Sequence, residues 1–130
     1  MKKNFARNTK SGDELFREIE EVCEGLVYIS EKDAPVTAYR SDELVGKDES
    51  APIEIVSFDR FFDRLTTEKD WFGDIQKQRA EKFRRLKGLL EVNLDELRVI
   101  RLGKIQVDIV VVGCDRDGRL MGIRTAAVET

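Results

Sequence analysis

The chain has 130 residues, and 26 acidic against 23 basic side chains give it a net charge of −3. This length is enough for one domain with a hydrophobic core, while the mild acidity argues against nucleic acid as a direct partner. The chain contains no histidine. This absence excludes Ser-His-Asp and Cys-His nucleophile systems and the zinc motifs that require histidine, so any catalysis would depend on carboxylates, lysines or thiols.

The first ten residues are polar and basic and show no periodicity. We predict that residues 1–10 form a disordered tail and that residues 11–130 form a single domain. No apolar run follows the N-terminal basic residues, so we expect neither a secretory signal nor a membrane anchor, and we expect a cytoplasmic location. Cys23 and Cys114 each lie in an apolar pattern. We predict two reduced core thiols, although the spacing also allows a disulfide between them.

The first predicted helix begins at Ser11, whose hydroxyl can form a capping box with Glu14. Apolar residues follow at helical spacing, and Gly25 suits the end of the helix. The inward positions of this helix are Leu15, Ile19, Val22 and Leu26. Two short strands are predicted next, over residues 36–40 and 53–56. The polar loop between them, Ser41 to Ser50, has no assigned role.

Two further helices are predicted between residues 59 and 93. Residues 59–66 form a short helix held against the core by side chains at strict helical spacing. Those side chains are Phe58, Phe61, Phe62 and Leu65. Thr67 is predicted to cap the next helix, with Asp70 completing the reciprocal bond and Trp71 in the first turn. This last helix is predicted to end near Asn93 and to carry inward Ile75, Phe83, Leu86 and Leu90.

The segment from Leu97 to Thr130 is the clearest sheet in the sequence. A turn is predicted at residues 101–104, and apolar side chains then alternate along a strand. One face of this strand carries Ile105, Val107, Ile109 and Val111. Because Val110 and Val112 make the opposite face apolar too, we predict burial on both faces, with helices above and below the sheet. A hairpin turn at 115–118 then leads into a second strand over 120–128, so Thr130 lies at most two residues from the sheet.

Three charged patterns allow a functional interpretation, and each also has a structural interpretation that we favour. Asp115 and Asp117 are spaced as in a calcium loop, but the closing glutamate is absent and a hairpin turn accounts for them. Asp59 and Asp63 could act as the acid and base of a hydrolase, but each has an adjacent arginine, which favours a solvated face. Six bases in one helix could contact phosphates, although the helix dipole and acidic neighbours account for them. These bases are Lys77, Arg79, Lys82, Arg84, Arg85 and Lys87.

Asp70-Trp71 is the pattern that a purely structural role explains least. A lone tryptophan lies in a core more often than in an interface. Trp71, however, follows a charged run in a first helical turn, from which a side chain readily projects outward. Tryptophan is also among the residue types most enriched at binding hot spots. From the residues alone, a core position and a binding position both stay open for Trp71.

Several separated segments, in order along the chain, resemble the nuclease A inhibitor family. The likeness covers roughly Glu14 to Thr130. The segments that carry it are Gly25-Leu26, Ser30-Glu31, Phe61-Phe62, Thr66-Thr67, Asp70-Trp71, Arg101-Leu102-Gly103, Gly122-Ile123 and Val128-Glu129-Thr130. The resemblance implies an α+β fold, a three-layer α/β/α sandwich around a small mixed, largely antiparallel sheet. It also implies a non-enzymatic protein without a cofactor, which blocks a metal-dependent, sugar-nonspecific DNA/RNA endonuclease in a 1:1 complex. The magnesium ion would belong to the nuclease.

The resemblance also implies which residues bind the nuclease. Glu31 is similar to the acidic residue that contacts the metal and arginine region of the enzyme. Asp70 and Trp71 are similar to a pair that docks beside it, and Thr130 to the terminal residue whose carboxylate enters the same site. Neither nucleic acid nor a membrane is expected to bind directly.

The sequence departs from the family pattern in three places. The loop from Ser41 to Ser50 is shorter, Gly73 stands where an acidic residue is expected, and Arg124 replaces a small polar residue. These departures leave the choice of nuclease open. The alternative function is an interaction module of the same fold with an unrelated protein partner.

Overall fold

The computed structural model describes residues 10–41 and 53–129, which form three helices and seven strands. The helices are α1 (Gly12–Cys23), α2 (Phe58–Thr66) and α3 (Asp74–Asn93). The strands are β1 (Val27–Tyr28), β2 (Ala34–Pro35), β3 (Thr37–Ser41), β4 (Ile53–Val56), β5 (Asp95–Leu102), β6 (Gln106–Cys114) and β7 (Leu120–Val128). Three predictions therefore lie outside the described residues: the tail apart from Lys10, the Ser41 to Ser50 loop apart from Ser41, and the position of Thr130.

The five-stranded sheet has the order β3-β7-β6-β5-β4, and its neighbouring strands pair antiparallel. β1 and β2 form a separate antiparallel pair. This combination of helices with an antiparallel sheet confirms the predicted α+β class. β6 and β7 pair along their whole length, from Gln106 opposite Val128 to Cys114 opposite Leu120, as the alternation of apolar residues predicted.

The hydrophobic core lies on one face of this sheet, and all three helices contribute to it. Its main strand residues are Val99, Val107, Ile109, Val111, Met121, Ile123 and Ala127, and its main helix residues are Leu15, Ile19, Phe58, Phe61, Phe62, Phe83, Leu86 and Leu90. On the second face, Val110 and Val112 are only 2% and 1% exposed, which confirms the predicted burial on both faces. Within residues 10–41 and 53–129, however, no helix is found on the second face.

Serine hydroxyls cap the N-termini of the first two helices. Ser11 Oγ accepts a hydrogen bond from the N–H of Glu14 at 3.2 Å, which confirms the predicted N-cap of α1. Ser57 Oγ accepts from the N–H of Arg60 at 3.3 Å and caps α2 in the same way. α2 is then joined to α3 by aromatic packing, because the Phe62 and Phe83 rings meet edge to face at 6.5 Å.

The start of α3 differs from the prediction. Thr67 does not cap α3; it ends α2, and its N–H donates to the carbonyl of Asp63 at 3.2 Å. The N-cap of α3 is Gly73, whose N–H donates to Gln76 Oε1 at 3.0 Å. Ile75, predicted to face inward, is 71% exposed, because α3 first reaches the core several residues later. Among the residues that the structure describes, neither α3 nor a shorter helix is long and apolar enough to cross a membrane.

The connection between β5 and β6 is shorter than predicted. Arg101 and Leu102, assigned to a turn, continue β5, and the turn begins at Gly103, whose φ of 108° is left-handed. Ile105 therefore lies in the turn and is 59% exposed, which corrects its predicted core position. The next hairpin is confirmed: the carboxylate of Asp115 accepts from two backbone N–H groups within its own turn, both at 2.9 Å.

Candidate functional site

Glu31 lies in the loop 29–33 between β1 and β2, and its side chain is exposed. The hydroxyl of Ser30 organises this loop. It donates to the carbonyl oxygen of Lys32 at 2.9 Å and accepts from the N–H of Lys32 at 3.4 Å. Because both bonds span residue 31, they hold the backbone of Glu31 in a tight turn.

The same hydroxyl joins this loop to the C-terminal end of β7. The N–H of Val128 donates to Ser30 Oγ at 3.1 Å. Further along the same edge of β7, the hydroxyl of Thr125 donates to the carbonyl of Pro35 at 3.0 Å. The structure therefore brings the loop that carries Glu31 beside the strand that leads to Thr130.

Glu129, the last described residue, is fixed by its backbone and by its side chain. Its N–H donates to the carbonyl of Ile105 at 2.8 Å, in the turn between β5 and β6. Its carboxylate forms an ion pair with Arg101 on β5, and Arg101 also contacts Glu54 on β4 at 3.1 Å. The chain is thus held in place up to one residue before Thr130.

Asp70 and Trp71 lie in the connection 67–73 between α2 and α3, a few residues before the first turn of α3. Both side chains are exposed, and Trp71 at 71% is among the most exposed large apolar residues. Its ring meets Phe72 edge to face at 4.9 Å. The core interpretation of Trp71 is therefore wrong. Ile75 is equally exposed and adds apolar surface to the same part of the chain.

Chain direction puts the connection 67–73 at the end of the sheet where β7 finishes. Phe58 and Asp59 at the start of α2 line a cleft with Leu94 and Asp95 at the start of β5. Later in α2, Asp63 and Arg64 line a cleft with Arg101 and Glu129, so α2 runs away from the start of β5 and α3 returns to it. The connection between them therefore lies toward the other end, where β5 and β7 end. In addition, Tyr28 stacks on Phe61 at 5.8 Å, which links the hairpin before Glu31 to α2.

Asp59 and Asp63 do not form an acid and base pair. Asp63 lines a cleft of about 640 Å³ that also contains Arg101 and Glu129. Asp59 lines a different cleft, of about 620 Å³, and its carboxylate lies 3.9 Å from Lys87 Nζ. Neither cleft therefore combines the two aspartates, which gives no support to an acid and base pair.

Three bases of α3 contact groups of the protein itself, as predicted, but the last turn of the helix contains no base, so the predicted complement to the helix dipole is not found there. Arg84 pairs with Glu81 and donates to the carbonyl of Thr66 at 2.9 Å. Lys87 lies 3.7 Å from Glu91, and Lys82 donates to the carbonyl of Glu24. This helix therefore uses much of its positive charge in intramolecular pairing.

The acidic turn between β6 and β7 acts as a hairpin turn. Asp115 is buried, and its Oδ1 accepts hydrogen bonds from the backbone N–H groups of Asp117 and Arg119. Within residues 10–41 and 53–129, no group of three or more acidic or cysteine side chains is placed to hold a metal ion. The calcium-loop interpretation is therefore not supported.

Sequence reasoning did not identify Ser30 or Arg101 as residues that organise this site. Both lie in segments of the family resemblance, which was the only signal pointing to them. The contact of Ser30 with Val128 joins residues 98 positions apart, and no local pattern predicts such a pairing.

The chain also matches a known protein family. The family model described as nuclease A inhibitor-like protein (NuiA) matches residues 13–130. No curated protein matches the chain. Because the family model spans nearly all of the sequence, including the hairpin of Glu31, the connection of Asp70 and Trp71, and β7, the chain belongs to the nuclease A inhibitor-like protein family.

Proposed function

We propose that the chain inhibits a metal-dependent, sugar-nonspecific DNA/RNA endonuclease by covering its active site in a 1:1 complex. Membership of the family supports an inhibitor of a nuclease. The observation that carries the mechanism is the hydrogen bond from the N–H of Val128 to Ser30 Oγ. It sets the loop of Glu31 beside the end of β7, so negative groups from distant parts of the sequence can face one partner.

The chemistry of a nuclease site explains why carboxylates suit this role. A site that binds the phosphates of a nucleic acid is cationic, so a carboxylate on a rigid frame can replace the substrate anion without offering a bond to cleave. In this proposal Glu31 approaches the arginine and magnesium region of the nuclease. In a chain that ends at Thr130, the terminal carboxylate enters the same site. The magnesium ion is the partner's own.

Asp70 and Trp71 form the second part of the proposed contact surface. An exposed tryptophan supplies a large apolar area, which interfaces use at their centres. Trp71 has this exposure, and the adjacent Asp70 supplies a further negative charge for a cationic partner. The pair lies toward the end of the sheet where β7 finishes, so it can dock beside the site that receives Glu31.

A titration of the purified chain into a magnesium-dependent, sugar-nonspecific endonuclease tests this proposal, with both DNA and RNA as substrates. Glu31→Ala and removal of Thr130 should each weaken binding by more than about 2 kcal/mol, or roughly thirtyfold, because the first removes a central carboxylate and the second moves the terminal carboxylate back by one residue. The melting temperature should stay nearly unchanged, since Glu31 is exposed. Asp117→Ala, an exposed acid in the turn at the opposite end of β7, is the matched control and should inhibit normally.

Three results would contradict this assignment. Full inhibition by the double variant, Glu31→Ala with Thr130 removed, would exclude the proposed contacts. A chain that inhibits no such nuclease but binds an unrelated protein would be an interaction module of the same fold. Turnover of a phosphodiester by the pure protein would point back to a hydrolase.

A further inference from the structure

The edge of β7 changes partner near its C-terminal end. β3 pairs with β7 only from Leu120 to Arg124. Beyond Arg124 the hairpin of β1 and β2 lies along this edge, and its contacts with β7 include side-chain hydroxyls. One of these hydroxyls belongs to Ser30, next in sequence to Glu31.

The hydrogen-bonding capacity of Ser30 is fully used. A serine hydroxyl has one donor and two acceptor positions. Ser30 donates to the carbonyl of Lys32 and accepts from the N–H groups of Lys32 and Val128. Two of the three bonds enclose Glu31, and the third reaches β7 two residues before Thr130. A single hydroxyl therefore fixes both the backbone of Glu31 and its attachment to the end of the chain.

We propose that Ser30 is a positioning residue for inhibition, which sets the spacing between the Glu31 carboxylate and the C-terminal end of β7. This inference rests on the proposed function, because it assigns Ser30 an effect that passes through Glu31. Two negative groups match two positions in a partner site only at a fixed separation. Loss of the hydroxyl frees the turn at residue 31 and detaches it from Val128, so affinity falls although no contact group is removed.

The test uses the full chain and the endonuclease of the titration above. Ser30→Ala should raise the inhibition constant at least tenfold, and Ser30→Thr, which keeps the hydroxyl, should restore most of the loss. Ser11→Ala is the matched control, because it also removes a serine hydroxyl that accepts a backbone N–H, but at the start of α1. It should change the inhibition constant less than twofold.

A double-mutant cycle separates positioning from a merely structural role. If Ser30 acts through Glu31, then Ser30→Ala should have little further effect in a chain that already carries Glu31→Ala. Hydrogen exchange gives a second measurement that needs no nuclease. The N–H of Val128 should exchange at least tenfold faster in Ser30→Ala and at the wild-type rate in Ser11→Ala.

The outcomes distinguish this inference from the proposed function. If Glu31→Ala impairs inhibition but Ser30→Ala does not, the positioning role is wrong and the proposed function stands. If the losses from Ser30→Ala and Glu31→Ala are additive, Ser30 does not act through Glu31. If Glu31→Ala combined with removal of Thr130 inhibits fully, the proposed function itself fails. Unchanged exchange at Val128 in Ser30→Ala would overturn the positioning role in the free protein.

Discussion

Arg101 Nη2 lies 2.6 Å from both carboxylate oxygens of Glu129, one residue before the end of the sequence. The side chain of Arg101 is only 15% exposed, and its Nε contacts Glu54 at 3.1 Å. Burial is the largest single influence and lowers the pKa of Arg101, but the hydrogen bond and charge of Glu129, together with Tyr28 and Glu54, raise the pKa above its ordinary value. The carboxylate of Glu129 is therefore engaged by the protein's own arginine.

The first prediction concerns this ion pair. Arg101→Met keeps the aliphatic packing but leaves Glu54 and Glu129 facing each other without a positive charge. We expect the free energy of unfolding to fall by about 2 kcal/mol, as for a largely buried charged hydrogen bond. Urea denaturation measures the change.

Arg124→Met is the matched control for Arg101→Met. Arg124 lies 3.8 Å from Asp108, and both side chains are about half exposed, so the loss should stay below about 0.5 kcal/mol. Equal losses in the two variants would show that the pair of Arg101 and Glu129 contributes no more than a surface pair.

The second prediction concerns Trp71. Because its ring is mostly exposed, Trp71→Ala should lower the free energy of unfolding by less than about 1 kcal/mol. The same change should weaken nuclease binding by about 2 kcal/mol or more, as at a hot spot. Phe62→Ala is the contrasting variant, since Phe62 is fully buried and its loss should cost about 3–5 kcal/mol of stability. Normal inhibition by Trp71→Ala would contradict the binding role. A large fall in its free energy of unfolding would contradict the exposure of the ring.

Local periodicity was enough to predict where most elements lie. The stripe through Leu15 and Ile19 is buried as expected, and β7 has the expected limits, because each pattern follows the repeat of one regular element. The same reasoning failed for Ile75 and Ile105. Both are apolar residues at the boundary of a helix or strand, where burial depends on whether another part of the molecule covers the side chain.

The site was less accessible to prediction than the fold. Glu31 could be assigned to a loop from the residues, but its neighbours could not, because the bond that locates it connects Ser30 with Val128 across 98 positions. The cap of α3 was misplaced because Thr67 and Gly73 both precede a helical pattern, and only the structure shows that Thr67 belongs to the preceding helix. Sequence patterns describe single elements, whereas a binding surface depends on how elements meet.

The third prediction concerns the two free thiols. Burial raises the pKa of Cys23 to about 12, so its thiol stays protonated at neutral pH and should react slowly with a disulfide reagent. Cys114 is only partly buried and should react faster. At pH 8 a Cys114→Ser variant should show almost no reaction when folded and one reacting thiol after unfolding in urea. Rapid labelling of the folded Cys114→Ser variant would contradict the burial of Cys23.

The fourth prediction compares two glycines. At Gly122 in β7, an added Cβ would lie 1.7 Å from the carbonyl oxygen of Val111 on the neighbouring strand, so the backbones of β6 and β7 would have to separate. Gly122→Ala should therefore cost about 3 kcal/mol or more of stability, or prevent folding.

Gly88 in α3 provides the opposite case, because nothing lies within 4 Å of the added Cβ. Gly88→Ala should raise the free energy of unfolding by about 0.5–1 kcal/mol, since alanine loses less backbone entropy than glycine in a helix. Urea denaturation of both variants measures the two changes. If Gly122→Ala were tolerated as well as Gly88→Ala, the result would contradict the close approach of β6 and β7 at Gly122 and Val111.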